Sequence, residues 1–339
     1  MTTPERILVT GGSGFVGASL ARDLIAQGHE VHLVLRDRSP AWRLAGLERD
    51  YRRHDADLRD AAALRRVVDA IRPEVIYHLA AHGVYRLQTE RAEILETNVQ
   101  GTINLLEALA RHDYRALVHT GSSSEYGHKD HPMREDDRLD PRTDYAVSKA
   151  AATLFCLAEA YRGRAVSTVR IFSAYGPWED PTRLVAYVID CCRRGEIPRV
   201  THGGQPRDFI FVDDVLNLLQ TAAHCPAAVG RVLHAGSGRQ TSVREMVETI
   251  AAVCGRDPAE IRFGEQPAHA DEPTAWVASI EQTTSLTGWR PMVELRTGIE
   301  RTLAWANGQA ACLPYTPGVR RSENRYATDR TDRWAGTPA

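Results

Sequence analysis

The chain has 339 residues, 43% hydrophobic and 25% charged, the composition of a folded globular protein rather than of a disordered or membrane-embedded one. Its 42 basic and 44 acidic side chains leave a formal charge of -2. No global field therefore draws it onto nucleic acid or an acidic membrane surface, and any anion it binds must be held locally. The length predicts one large α/β domain with a smaller second lobe.

The opening MTTPERILVTGG enters an apolar strand within a few residues and carries no apolar leader, and no apolar run elsewhere is long enough to span a bilayer, so a cytoplasmic protein is expected. Short apolar runs at Ile7-Leu8-Val9, Val31 to Leu35, Val75-Ile76-Tyr77 and Ala116-Leu117-Val118 alternate with segments of helical length. Strands that are apolar throughout belong in a parallel sheet covered by helices on both faces, which predicts an α/β, doubly wound (Rossmann) fold. After about Ser173 the rhythm loosens through Gly176-Pro177, a helical Leu184 to Arg194 and the turn-rich THGGQPRDF, as a second lobe would require. Phe209 to Val212, followed by Asp213 as a helix N-cap, is expected to return briefly to the sheet before helices near Ser242 to Cys254 and Leu295 to Asn307. The lobes then interleave: 1–172 plus about 208–238 form the large doubly wound domain, about 173–207 plus 239–312 a small α/β second lobe, and 313–339 a polar tail, disordered or laid over a surface. The cysteines, at 156, 191, 192, 225, 254 and 312, form no C-x-x-C pair, which argues for reduced thiols and against zinc or another metal.

Thr10-Gly11-Gly12-Ser13-Gly14-Phe15-Val16-Gly17 lies between the first strand and a helix over Ala18 to Gln27. Gly11 permits a tight turn, Gly14 lets backbone N–H groups approach a pyrophosphate, Gly17 allows close packing, and the helix N-terminus favours the anion. This G-x-x-G-x-x-G spacing resembles the extended short-chain dehydrogenase/reductase family, in its nucleotide-sugar epimerase/dehydratase group, and the resemblance runs to about residue 308. It implies an adenine contact at Asp57-Leu58, a segment along the cofactor at Leu79-Ala80-Ala81, preceded by His78, and a supporting position at Asn98.

A carboxylate after the second strand would bind the adenosine ribose of NAD, whereas an arginine there can receive a 2′-phosphate. Arg36 falls at that place, with Arg38 and Ser39 beside it, so NADP(H) is favoured. A slip of one residue would put Asp37 in the role, and NAD(H) remains possible.

Tyr145 and Lys149, four apart at the start of a helical segment, share one face. They match the family's Y-x-x-x-K, in which an ammonium and the nicotinamide ring bring the phenol toward a useful pKa. The resemblance also makes Ser122, in Gly121-Ser122-Ser123-Ser124-Glu125-Tyr126-Gly127, the catalytic hydroxyl. The related 4,6-dehydratases carry an acidic residue where Ser124 stands, and a hydroxyl cannot replace it; Glu125, one place along, is expected to point elsewhere. On the substrate side the resemblance implies contacts from His82, Ser122, Ser123, Ser124, Ser173 (where an Asn is usual), Arg183, Arg207 in the RDF loop, and His269. It further implies a homodimer through the helix of Tyr145 and roughly Leu87 to His112. The expected activity is NADPH-dependent reduction of a keto group, at C4, of a nucleotide-diphosphate deoxy-sugar. The alternatives are an epimerase holding its NAD(P) tightly and a non-catalytic dinucleotide-binding sensor.

Overall fold

The computed structural model describes residues 3–37, 39, 41–84, 88–266 and 273–308; Arg38, His269 and everything from 309 onward lie outside the described residues. The first half runs β1 (Arg6–Thr10), α1 (Phe15–Ala26), β2 (Glu30–Leu35), β3 (Tyr51–Asp55), α2 (Ala61–Ile71) and β4 (Val75–His78). It continues through α3 (Arg91–Leu95), a π-helical stretch Glu96–Gln100, α4 (Gly101–Leu109), β5 (Ala116–Ser122), α5 (Asp144–Tyr161) and β6 (Val166–Ile171). The second half adds β7 (Ser173–Tyr175), α6 (Leu184–Arg194), β8 (Arg199–Val200), β9 (Pro206–Arg207), β10 (Phe209–Phe211), α7 (Val212–His224) and β11 (Val232–Ala235). It ends with β12 (Thr241–Ser242), α8 (Val243–Val253), β13 (Arg262–Phe263), α9 (Glu281–Thr287) and α10 (Leu295–Gly308).

Seven strands form one parallel sheet in the order β11-β6-β5-β4-β1-β2-β3. Ile7, Leu8 and Val9 are all buried because both faces are covered. Leu20, Leu24, Val215 and Leu219 pack with Val9 and Leu33 on one face, and Leu64, Val68, Leu105 and Leu109 pack with Leu8, Ile76 and Leu117 on the other. The chain order reverses between β1 and β4, so the crevice beyond their carboxyl ends is where a doubly wound sheet takes its ligand.

Two expectations are corrected. Phe209–Phe211 does not rejoin the large sheet but pairs in parallel with Ser173–Tyr175, because β7 has already left the sheet beyond β6; Val232–Ala235, beside β6, makes the return. Asp213 is not the cap of α7, whose N-cap is Phe211. Asp213 and Asp214 lie inside the first turn, where the helix dipole favours them, and Asp214 accepts the backbone N–H groups of Met292 and Val293 at 3.0 Å each.

Candidate active site

A cleft of about 1050 Å³ opens at the β1/β4 reversal. Its lining includes Gly11, Ser13, Gly14, Phe15, Val16 and Gly17, and the loop is closed by Gly14 N–H donating to the Gly11 carbonyl at 3.0 Å. A Cβ on Gly11 would stand 2.5 Å from the Ala80 nitrogen, at a φ of +73°, and one on Gly17 would stand 2.2 Å from the Gly11 carbonyl oxygen. Gly17 thus packs against the loop itself as well as letting α1 begin there, at Phe15 rather than Ala18. Thr10 Oγ1 lies 2.7 Å from His78 Nδ1, and Leu79 N–H donates to the Thr10 carbonyl, so the ends of β1 and β4 present Leu79, Ala80, Ala81 and His82 to the cleft.

Beyond β2 and β3, Arg36, Ser39, Asp57 and Leu58 line the cleft, and Asp37 is not among its lining residues. Asp57 is not a helix cap: Asp60 caps α2 by accepting from Ala63 N–H at 2.9 Å, and Asp57 pairs with Arg59 at 2.8 Å, which holds its carboxyl below the usual range. Asn98, expected at a supporting position and as a cofactor contact, is not among the residues that line the cleft. It is buried behind the cleft in the π-helical stretch, accepts His82 N–H at 2.7 Å and donates to Ser148 Oγ at 2.8 Å. The irregular turn re-aims its amide into α5 and the His82 backbone, so it braces the site without lining it.

Ser122 ends β5 and starts a short helical turn; Tyr145 and Lys149 come from α5, capped by Thr143, whose Oγ1 accepts Ala146 N–H at 3.1 Å. All three line the cleft, together with Ser123 and Ser124. Burial pushes the Tyr145 phenol up to about 12, against a hydrogen bond with Ser122 and the more distant charge of Arg183, both of which lower it. Burial draws the Lys149 ammonium down to about 8. Lys149, which lines the cleft, has its Nζ 3.5 Å from His119 Nε2. His119 is fully buried and held neutral, so it can accept from the ammonium while its other nitrogen faces Thr168 Oγ1 at 3.4 Å.

Glu125 points away from the cleft. Its carboxylate is completely buried, accepts Ser122 N–H at 2.7 Å and Thr153 Oγ1 at 3.2 Å, and pairs with Arg170 at 2.9 Å. A Cβ on Gly121 would meet Glu125 Oε1 at 2.6 Å, so glycine makes room for this inward turn. Ser124 faces the cleft instead, its Oγ 2.8 Å from Ser122 Oγ.

On the far wall stand Ser173, Arg183, Arg207 and Trp276. The Arg207 guanidinium lies 5.6 Å from the Trp276 ring centre and donates to the Pro206 carbonyl at 2.7 Å. Asp208, next to it, faces inward and accepts N–H groups of Ser237, Gly238 and Ala278, which fixes the loop. His82 Nε2 lies 3.3 Å from Glu93. Sequence reasoning missed Arg43 and Glu179, which also line the cleft. A buried acid in the WED run before Pro181 left no periodic signal to find.

A family model for the NAD dependent epimerase/dehydratase family matches residues 7–236, more than half of the chain. The chain belongs to that family. Within this epimerase/dehydratase chain the matched span takes in the glycine loop, Ser122, Tyr145, Lys149 and Arg207. It is 33% identical to UDP-glucose 4-epimerase of Mycolicibacterium smegmatis, over 88% of this chain and 97% of that protein. It is 31% identical to dTDP-glucose 4,6-dehydratase of Streptomyces griseus, over 90% and 94%. Among solved structures it resembles the UDP-glucose 4-epimerase of Thermus thermophilus in complex with NAD, at a TM-score of 0.79 and 26% identity, covering 89% of this chain and 99% of that one. Among the described residues no helix is long and apolar enough to cross a membrane.

Proposed function

We propose that the chain reduces a keto group, at C4, of a nucleotide-linked deoxy-sugar with NADPH. The observation that carries this reading is the convergence of Ser122, Tyr145 and Lys149 on the cleft that the glycine loop walls. The loop fits a dinucleotide: side chains at Gly11 or Gly17 would collide with backbone, and α1 opens its N-terminus toward the diphosphate position. When bound, the dinucleotide supplies hydride. Ser122 holds the carbonyl oxygen, and Tyr145, kept protonated by burial, delivers a proton to that same oxygen as it gains charge. Lys149, which lines the same cleft, would hold the nicotinamide ribose. Arg207 and Arg183 take the nucleotide diphosphate, with Ser173, His82 and Ser123 around the sugar. Residues 1–172 with about 208–238 form the dinucleotide half, and about 173–207 with 239–312 the sugar-nucleotide half.

Water elimination is disfavoured because Ser124 faces the cleft and Glu125 is locked in its pair with Arg170. Preference for NADP(H) is supported by Arg36 lining the adenosine end while Asp37 does not. Arg36→Ala should raise the Kd for NADPH by about tenfold or more, as loss of a charged hydrogen bond does, and change that for NADH less than about twofold. Fluorescence titration of emptied protein measures both, and equal losses would end the NADP(H) assignment. A second reading, an epimerase with retained NAD, is favoured by the 4-epimerase relatives. NAD released from the denatured purified protein, in stoichiometric amount, would select it.

A homodimer through α5 is supported by an apolar stripe on its open face: Val147, Leu154 and Tyr161, seven apart, are all exposed, with Phe155 and Leu95 of α3 beside them. Leu154→Glu should convert a dimer to a monomer in sedimentation velocity at micromolar concentration; a monomeric parent protein would dismiss the idea.

A further inference from the structure

Glu179 is buried, with 7% of its surface exposed, in the wall of the cleft, yet the catalytic set makes no use of it. Its Oε1 lies 3.9 Å from Arg183 Nε, and its buried Oε2 has no hydrogen-bond partner among the described residues. The loop that carries it is firmly built. Trp178, at a φ of +71°, has its ring under the Arg22 guanidinium at 4.1 Å and packs at a tilt against Trp305, with 5.0 Å between ring centres. Glu179 N–H closes back on the Gly176 carbonyl at 3.3 Å. Arg43 then ties this loop to the glycine loop, donating from Nε to the Trp178 carbonyl at 2.6 Å and from Nη1 to the Ser13 carbonyl at 3.4 Å. The orphaned carboxyl oxygen therefore shares a wall with the part of the cleft where a cofactor diphosphate would rest.

We propose that Glu179 is a cofactor-binding carboxylic acid, donating its proton to a diphosphate oxygen of the dinucleotide and releasing that contact when it ionises. The inference rests on the dinucleotide reading of the cleft. A buried carboxyl oxygen without a partner, set beside an anion, is useful as a donor, since the ionised form would place two negative charges against each other. Burial pushes this carboxyl up to about 8. Asp180 on the same loop acts in the same direction, while Arg183 at the start of α6 and Arg43 from the segment after β2 act against it. The glycine loop contributes no titratable side chain, and neither does Trp305 of α10. Because the folded pKa is raised, the donor is present at pH 7 and is lost as the pH passes through about 8.

The test compares NADPH affinity of the full chain and of Glu179→Gln, from pH 7 to 9.5 at constant ionic strength. Glutamine keeps an N–H donor and never ionises. Lys149 and the 2′-phosphate titrate alike in both proteins, so their contributions cancel in the ratio of Kd values. That ratio, parent over variant, should stand near 1 at pH 7 and rise about tenfold or more by pH 9.5. Circular dichroism and a thermal melt confirm that the variant is folded, and Glu179→Met, which has no donor, should bind weakly at every pH. A ratio that does not change with pH overturns the proposal, as does a variant weakened most at pH 7, which would mark an acceptor for ribose hydroxyls. A parent protein that binds neither NADPH nor NADH at any pH would instead remove the dinucleotide reading, and this inference with it.

Discussion

Tyr145→Phe should lower kcat by about 10²- to 10⁴-fold while leaving dinucleotide affinity and the melting temperature nearly unchanged. The phenol is the group that α5 places within hydrogen-bonding reach of Ser122, and its proton can follow a hydride to a carbonyl oxygen. Removing it deletes one oxygen atom at the edge of the cleft, in the first turn of a helix whose cap, Thr143, and whose brace, Ser148 with Asn98, are untouched. Steady-state turnover and NADPH titration of the same preparation separate the two effects. Turnover within about threefold of the parent would mean that Tyr145 is not the acid. An unchanged biological output in cells carrying the Phe variant would favour the non-catalytic sensor.

The second large effect falls on stability. Glu125→Ala should cost about 3–5 kcal/mol, because it strands the Arg170 guanidinium in the core without its counter-charge. Arg170 is 3% exposed, and the other contacts of its guanidinium among the described residues are the Tyr126 hydroxyl, to which it donates, and the Tyr126 ring at 4.4 Å. The same change removes the acceptor of Ser122 N–H, so the turn that aims the Ser122 hydroxyl should loosen along with the core. Urea denaturation gives the stability term. A companion variant, Glu125→Leu with Arg170→Met, replaces both charges with apolar volume and should recover much of the loss. A cost below about 1 kcal/mol for Glu125→Ala would show that the pair is not holding the turn.

The parts of the site that were legible in the sequence are those written over contiguous residues. A strand, a glycine turn and a helix N-terminus occupy only residues 6 to 26, and the spacing of Tyr145 and Lys149 fixes their common face whatever surrounds them. Ser122 was singled out through the family resemblance, by its place four residues before Tyr126-Gly127, and the structure adds the capping turn that presents it. The alternation of apolar runs and helices likewise carried the doubly wound sheet, since burial on both faces leaves its mark in each strand separately.

What could not be read came from residues far apart in the chain. The pairing of β10 with β7 in place of the large sheet depends on where β6 lets the chain go. The inward turn of Glu125 depends on Arg170, 45 positions away, and the tilt of Lys149 toward His119 on a neutral imidazole in the neighbouring strand. Glu179 is an ordinary loop acid until Arg43, 135 positions before Trp178, joins that loop to the glycine turn. The sequence alone thus determined the parallel sheet, the glycine turn between β1 and α1 and the common helix of Tyr145 and Lys149, because backbone conformation and side-chain periodicity are local properties. Which acids are buried, which are paired and which face the cleft was decided only by the tertiary structure, because desolvation and charge pairing depend on neighbours that the order of residues does not place side by side.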